Sequence, residues 1–387
     1  MKELLILMSV FTANVKDFGA IGDGIADDTS AIASAAEDCR SKLRAIQPPG
    51  GSYMGSCPEL FFPAGKYLIS AGISINPYQS VRGEDAIIVQ SDPQSSIFLC
   101  NGGYQNRFVG IQFVGGSKQI VFSNANIDSS FLTVRDCAFQ AWSSWAVWAE
   151  GTVDDLHLST TFKVDRCRFD GGQAIYTHCD TTQVSDCEVH FRGPYIPNGG
   201  CWIKNVGFQR PSGGAFSYGG TLGLTNITLV PASPVVPKED GSVPKTVKAY
   251  WIDNAGTVVS ERVRFSGEGA GVPIMIHRAP VNLRNPWRGA KVVFNACQLS
   301  CGQDSDSTAA VITLSGGFPQ CMRFTGNDGL VSNKIPFVRV ADNYDLASDI
   351  KAIKASAAAS LPMYAITIQG NQSISAPMPT LLNQFVK

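Results

Sequence analysis

Val134-Arg-Asp-Cys-Ala-Phe139, Val164-Asp-Arg-Cys-Arg-Phe169 and Val184-Ser-Asp-Cys-Glu-Val189 are three copies of one six-residue pattern, and its reading decides the fold. A further copy precedes them, Phe108-Val-Gly-Ile-Gln-Phe113. Three follow: Leu224-Thr-Asn-Ile-Thr-Leu229, Ser260-Glu-Arg-Val-Arg-Phe265 and Phe294-Asn-Ala-Cys-Gln-Leu299. Each reads inward residue, two polar corner residues, inward, outward, inward. The alternation is that of a strand, and the polar pair bends it. The core positions Ile111, Cys137, Cys167, Cys187, Ile227, Val263 and Cys297 recur 20 to 40 residues apart, a period that marks a solenoid. Uneven spacing places the extra residues in loops that leave at fixed corners. The expected fold is therefore all-β: a single right-handed parallel β-helix (β-solenoid).

The whole-chain numbers agree. Hydrophobic residues make up 44% of the 387 and charged residues 16%, enough to fill one continuous core. The formal charge is −1 and no basic stripe is present, so no nucleic-acid partner is expected. No apolar run is long enough for a membrane-crossing helix, and no membrane partner is expected. Eleven cysteines are an odd number, and four of them fall on the inward ladder, where a thiol behaves as a small hydrophobe. Most are expected free, with at most one or two disulfides among Cys39, Cys57, Cys100, Cys297, Cys301 and Cys321. The group His178, Cys179, Cys187 and His190 lacks a zinc spacing, and Asp304-Ser-Asp306 is an incomplete calcium loop, so no metal and no cofactor are expected.

Residues 1–13 read as a short, poor signal peptide or, equally, as a first strand. Gly22 and Gly24 permit a tight turn, and Asp28 or Thr29 can cap a helix running to about Leu43. Such a helix would lie across the open end of the solenoid as an N-terminal cap. Asp23, Asp27 and Asp28 are then structural. Residues 46–58, rich in Pro and Gly, read as a loop, and 231–245 as a second. The domain reading is 1–50 for the first strand and capping helix, 51–345 for the β-helix, and 346–387 for a C-terminal helix and last strand.

Two stretches, Asn14-Val-Lys-Asp-Phe-Gly-Ala-Ile-Gly-Asp-Gly-Ile-Ala-Asp-Asp-Thr29 and Glu59-Leu-Phe-Phe-Pro-Ala-Gly-Lys-Tyr-Leu-Ile-Ser70, closely resemble the start of pectate-lyase-like β-helix proteins. That superfamily includes polygalacturonase-type hydrolases, polysaccharide lyases and phage tailspikes. The resemblance implies the fold and a carbohydrate bias, and does not imply a reaction. The Asn-Thr-Asp, His-Gly and Arg-Ile-Lys signatures of the polygalacturonase branch are absent, so none of its catalytic residues is carried over.

Short strands that follow the repeats suggest where a sugar would bind. Alternation in Ala146-Val-Trp-Ala-Glu150, Ala174-Ile-Tyr-Thr-His178, Cys201-Trp-Ile-Lys204, Tyr250-Trp-Ile-Asp253 and Ile274-Met-Ile-His277 puts Val147, Ile175, Ile203, Ile252 and Ile276 inside. Trp148, Tyr176, Trp202 and Trp251 then form an outward aromatic strip for stacking on pyranose faces, with His277 and Arg278 beside it. The same strip would suit a subunit interface or burial under the chain's own loops. Hydrolysis needs two carboxyl groups, about 5 Å or roughly 6.5–9.5 Å apart. Glu150 and Asp180 on adjacent coils suit the longer spacing, and Asp253 is a third candidate. Elimination beside a uronate carboxylate needs a base and a cation, for which His178 and Lys204 are candidates, with Arg278 or Arg284 nearby.

These readings lead to a polysaccharide-binding and polysaccharide-cleaving protein of the tailspike or depolymerase kind, acting as a glycoside hydrolase on bacterial surface polysaccharide. By resemblance it would be a homotrimer on a phage virion tail. The alternatives are a secreted or periplasmic lyase or hydrolase of uronate polysaccharide, and a non-catalytic adhesin or structural virion protein.

Overall fold

A computed structural model of the chain describes residues 12–46, 54–123, 131–150, 160–190, 201–206, 208–209, 217–218, 220–230, 250–267, 274–278, 290–301, 310–329, 336–355 and 365–371. The chain forms two compact units, residues 1–152 with 156–175 and residues 153–155 with 176–387. Both are built from parallel coils.

The repeats stack in the register their sequence predicts. In the first unit Phe108 pairs with Val134 and Phe113 with Phe139; Val134 then pairs with Val164 and Phe139 with Phe169. In the second unit Val184 pairs with Leu224, Leu224 with Ser260, and Ser260 with Phe294. Each of these coils sends the strands on both sides of its corner into one sheet and a third strand into a second sheet. The inward aromatics stack along the coils. Phe139 lies 5.1 Å from Phe113 and 4.9 Å from Phe169, and Phe294 lies 5.8 Å from Phe324 with the rings nearly parallel.

The two-residue corner has a specific backbone. Its second residue is left-handed at Asp136, Arg166, Asp186, Asn226, Arg262 and Ala296, with φ between 48° and 54°. That turn aims the residue's N–H at the next coil: Asp136 donates to Asp165 O, Asn226 to Glu261 O and Ala296 to Thr325 O. The side chains continue the ladder outside. Arg166 Nε donates to Asp136 Oδ1 at 2.7 Å, Asn226 Nδ2 to Asp186 Oδ1 at 3.0 Å, and Arg262 Nε to Asn226 Oδ1 at 2.6 Å.

The inward residue after the corner explains the cysteines. Cys137 Sγ donates to Phe108 O and Arg135 O, and Cys297 Sγ to Ser260 O and Asn295 O. Asn327 and Asn371 hold the same place in later coils and donate to Phe294 O and Phe324 O, each at 3.0 Å. A thiol here thus weakly substitutes for an amide at a buried carbonyl. The ten cysteines whose side chains are described, all but Cys301, are free. Burial pushes the Cys297 thiol up to about 11.

The N-terminal helix is Thr29–Ser41; it buries Ile32, Ala35, Ala36 and Cys39 against the strands Thr12–Asn14, Glu59–Phe62 and Ile73–Ile75. Asp28 precedes it but does not cap it through its side chain. Its carboxylate instead accepts the N–H groups of Ile21 and Gly22, fixing the glycine turn. Asp23 accepts from Ile25 N and Ala26 N, and Asp27 from Thr29 and Ser70, so all three acids serve local structure.

Part of the expected loop 46–58 is a hairpin: Arg44–Ile46 pairs antiparallel with Met54–Ser56. Period-2 alternation is masked there by Gly and Pro, which explains the misreading. The C-terminal helix spans Leu346–Ala355, and the last strand, Ala365–Gln369, pairs with Cys321–Thr325. The signal-peptide run over residues 1–11, the loop at 231–245, Arg284 and the Asp304-Ser-Asp306 turn lie outside the described residues. Among the described residues no helix is long and apolar enough to cross a membrane.

Candidate functional site

In the second unit the outward face of the second sheet gathers the ionisable groups. Lys204 is the register partner of Asp253, and Asn205 of Asn254. Val206 N donates to Thr177 O, as Ala255 N does to Asn205 O, so Thr177 neighbours Asn205 and Tyr176 neighbours Lys204. Tyr176, Lys204 and Asp253 therefore form one row across three coils, about 4.8 Å per step. Arg278 joins from the next coil, its Nε donating to Asp253 Oδ1 at 2.8 Å, while Nη1 reaches Ser315 Oγ at 3.3 Å. Asp253 is buried and Arg278 exposed, so a carboxylate is held at the base of the row with cationic groups on either side. His178 follows two residues after Tyr176 and is half-buried, and Asp180 is exposed at the corner beyond.

The aromatic strip differs from expectation. Tyr176 shares its row with Lys204 and Asp253, whereas Trp202 stands one pleat earlier, level with Trp251. The offset is two residues, which keeps inside and outside unchanged but breaks the line of rings. Trp202 is 0% exposed and Trp251 7%, so neither offers a face to a sugar from solvent. They stand on the same face as the row, one pleat earlier, and are covered, which is the covered alternative among the sequence readings.

Beyond Trp251 the expected alternation slips by one. Met275 pairs with Ile252 and His277 with Asn254, so Met275 and His277 point inward and Ile276 outward. His277 is fully buried, with Nδ1 3.0 Å from Asn254 Nδ2, and its Nε2 has no partner among the described residues. Burial pushes its pKa down to about 3, so it is neutral in ordinary buffers. Asn205 Nδ2 donates to Asn254 Oδ1 at 2.9 Å, which makes Asn205, Asn254 and His277 an internal polar ladder. A core position cannot contact a polymer, so His277 is not a sugar-facing residue. The signal was present in the sequence: Asn205 and Asn254 each follow an inward Ile by two residues.

In the first unit Trp148 points outward and is half-buried, with Lys118 Nζ 3.8 Å above its ring and Trp145 packed against its edge. Glu150 is half-buried at the end of the same segment. Glu150 and Asp180 belong to different units. Within the second unit, Asp180 lies about four residues further along the coil than Asp253 and two coils away. At about 3.3 Å per residue and 4.8 Å per coil, that is roughly 16 Å. The pair is too far apart for one glycosidic bond. Asp154 and Asp155, the next carboxylates in the sequence after Glu150, lie outside the described residues. Among the described residues no cluster of His, Cys, Asp and Glu could hold a metal ion.

Comparison with known proteins agrees with this architecture. The family described as rhamnogalacturonase A/epimerase, pectate lyase-like, matches residues 12–98. A stretch of 59 residues, 15% of the chain, is 42% identical to mannuronan C5-epimerase AlgE1 of Azotobacter vinelandii and spans 3% of that protein's length. Among solved structures, the A-module of the Azotobacter vinelandii mannuronan C-5 epimerase AlgE6 superposes with a TM-score of 0.56 at 11% identity, covering 92% of this chain and 85% of that one. Tailspike protein 3 of bacteriophage CBA120 gives 0.53 at 11% identity, covering 99% and 62%. Tailspike gp49 of Acinetobacter baumannii bacteriophage Fri1, a capsular polysaccharide depolymerase, gives 0.51 at 10%, covering 97% and 66%. The chain has the fold of a right-handed parallel β-helix, and the likeness to the pectate-lyase-like family model is confined to residues 12–98.

Proposed function

We propose that this parallel β-helix chain acts on an acidic, uronate-containing polysaccharide by removing the proton next to the uronate carboxylate. That step opens both elimination and C5 epimerisation. The observation that carries the reading is the outward row Tyr176–Lys204–Asp253 with Arg278 bound to its carboxylate. A uronate carboxylate set against Lys204 and Arg278 loses negative charge, which makes the neighbouring C–H more acidic. Tyr176 or His178 then takes the proton. Asp253 orients Arg278. In elimination the C–H electrons form the C4–C5 double bond, and the glycosidic oxygen leaves with the proton handed on by Tyr176 or His178. In epimerisation that group keeps the abstracted proton, and water delivers one to the opposite face of C5.

The likeness in fold to mannuronan epimerase modules and to tailspikes supports a polysaccharide as the partner. A trimeric tail protein would meet such a polymer as an acidic capsule, and a secreted enzyme would meet the same chemistry in exopolysaccharide. The preference for proton abstraction over hydrolysis rests on the carboxylate spacing in the second unit.

The test is incubation with polymannuronate, polyguluronate, polygalacturonate and acidic capsular polysaccharides in deuterated water. Ultraviolet absorbance of the new double bond, or deuterium at C5 in the recovered polymer, is expected, and both should vanish in Lys204→Ala. New reducing ends without either signal would overturn the proposal in favour of hydrolysis and turn attention to Glu150, Asp180 and Asp253. Polymer binding without any product would favour an adhesin.

A further inference from the structure

A second surface, in the first unit and on the other sheet, has the features of a ligand site. Three aromatic rings line up along one corner of successive coils: Tyr78 and Tyr104 are 5.2 Å apart between centroids, and Tyr104 and Phe131 5.8 Å apart. Phe131 is 51% exposed and borders an open groove of about 490 Å³ together with Gln105, Arg107, Thr133, Thr161 and Lys163. The volume falls within the range of small-molecule sites. Arg107 pairs in register with Thr133, and Thr133 with Lys163, so the two cations stand two coils apart on one outward row. Neither forms an ion pair among the described residues, whereas Arg82, Arg135, Arg166 and Arg168 all do.

The backbone at this corner is unusual. Tyr78, Gln105 and Phe131 are left-handed, with φ of 63°, 55° and 58°. Bulky residues rarely adopt that region, and strain of this kind concentrates where a side chain must be aimed. Phe131 combines strained backbone with an apolar ring in water, two unfavourable features that core packing does not explain. Room for the Tyr78 ring depends on Gly55, where a Cβ would sit 2.5 Å from it.

The geometry points to a binding groove for an extended anionic glycan, separate from the Tyr176–Lys204–Asp253 row. Phe131 offers the groove one exposed ring for a pyranose face, and Tyr104 and Tyr78 back it, inclined at 82° and 58° to their neighbours in the line. Arg107 and Lys163, about 10 Å apart by the coil spacing, match carboxylates on alternate residues of a two-fold chain. Thr133, Thr161 and Gln105 supply hydroxyl and amide partners between them. The groove selects the polymer by charge and holds it, and does no chemistry itself.

The experiment is titration of purified protein with octameric oligouronates (mannuronate, guluronate and galacturonate) and their carboxyl-reduced counterparts, followed calorimetrically. It is run in the Lys204→Ala background so that turnover cannot consume the probe and a failure of the catalytic proposal does not decide the result. At least one oligouronate should bind. The double variant R107Q/K163Q should weaken it about tenfold or more, and Phe131→Ala several-fold, in line with charge-assisted contacts and ring stacking. Carboxyl-reduced oligomers should bind the parent no better than oligouronates bind the double variant. All three substitutions are on exposed side chains, and circular dichroism checks that the fold is kept. Absence of binding by every oligouronate, or unchanged affinity in both variants, would overturn the groove.

Discussion

Ala296 occupies a corner that its side chain does not favour, and replacing it tests the logic of the whole solenoid. Its φ is 49° and its N–H donates to Thr325 O at 2.9 Å, so the left-handed turn is fixed by the neighbouring coil. A residue with a Cβ loses roughly 1–2 kcal/mol in that region, and Asp or Asn loses less because its short polar group bonds locally. Arg262 stands at the same corner one coil earlier, with its guanidinium on Asn226 and Glu261. An acid at 296 would meet Arg262 as Asp136 meets Arg166, adding about 0.2–1 kcal/mol for an exposed pair. Ala296→Asp should therefore stabilise by about 1 kcal/mol, and Ala296→Val, whose branched side chain suits φ > 0 least, should destabilise by a similar amount. Urea unfolding followed by far-ultraviolet dichroism and Trp fluorescence measures both, and high salt should remove only the ion-pair share. An Asp variant no more stable than wild type, together with a neutral Val variant, would refute the claim that corner conformation limits stability here.

Two further outcomes follow from burial and charge. Trp202→Ala removes a fully buried ring and should cost about 3–5 kcal/mol, seen as a clear fall in melting temperature; an unchanged melt would mean the ring is exposed in solution. The carboxyl of Asp27 is held below the ordinary 3.8, first by Ser70 and then by Thr29, and that of Asp136 first by Arg166. Native values that are depressed give stability that is full above the ordinary carboxylate range and is lost as pH falls through the lower native values. Stability should therefore drop on acidification, and Asp27→Asn should flatten the drop; an Asn variant with the wild-type acid profile would exclude that contribution.

The repeat alone determined the coil register. Phe108, Val134 and Val164, and likewise Val184, Leu224, Ser260 and Phe294, pair where alternation puts them, because one face of each strand must be buried and a one-residue slip would expose the whole set. The corner was legible for the same reason, as two polar residues inside an apolar alternation, and so was the burial of the four ladder cysteines. The second sheet was less legible. Its strands are three to six residues long and unevenly spaced in the sequence, so no periodicity carried the register from one coil to the next. Tertiary structure decided that Tyr176 sits beside Lys204 rather than Trp202, that Trp202 and Trp251 are covered, and that His277 enters the core to meet Asn254. It also decided the groove beside Phe131, whose residues lie in three successive coils. Alternation says which way a side chain points; only the packing of one coil on the next says what stands beside it and whether water reaches it.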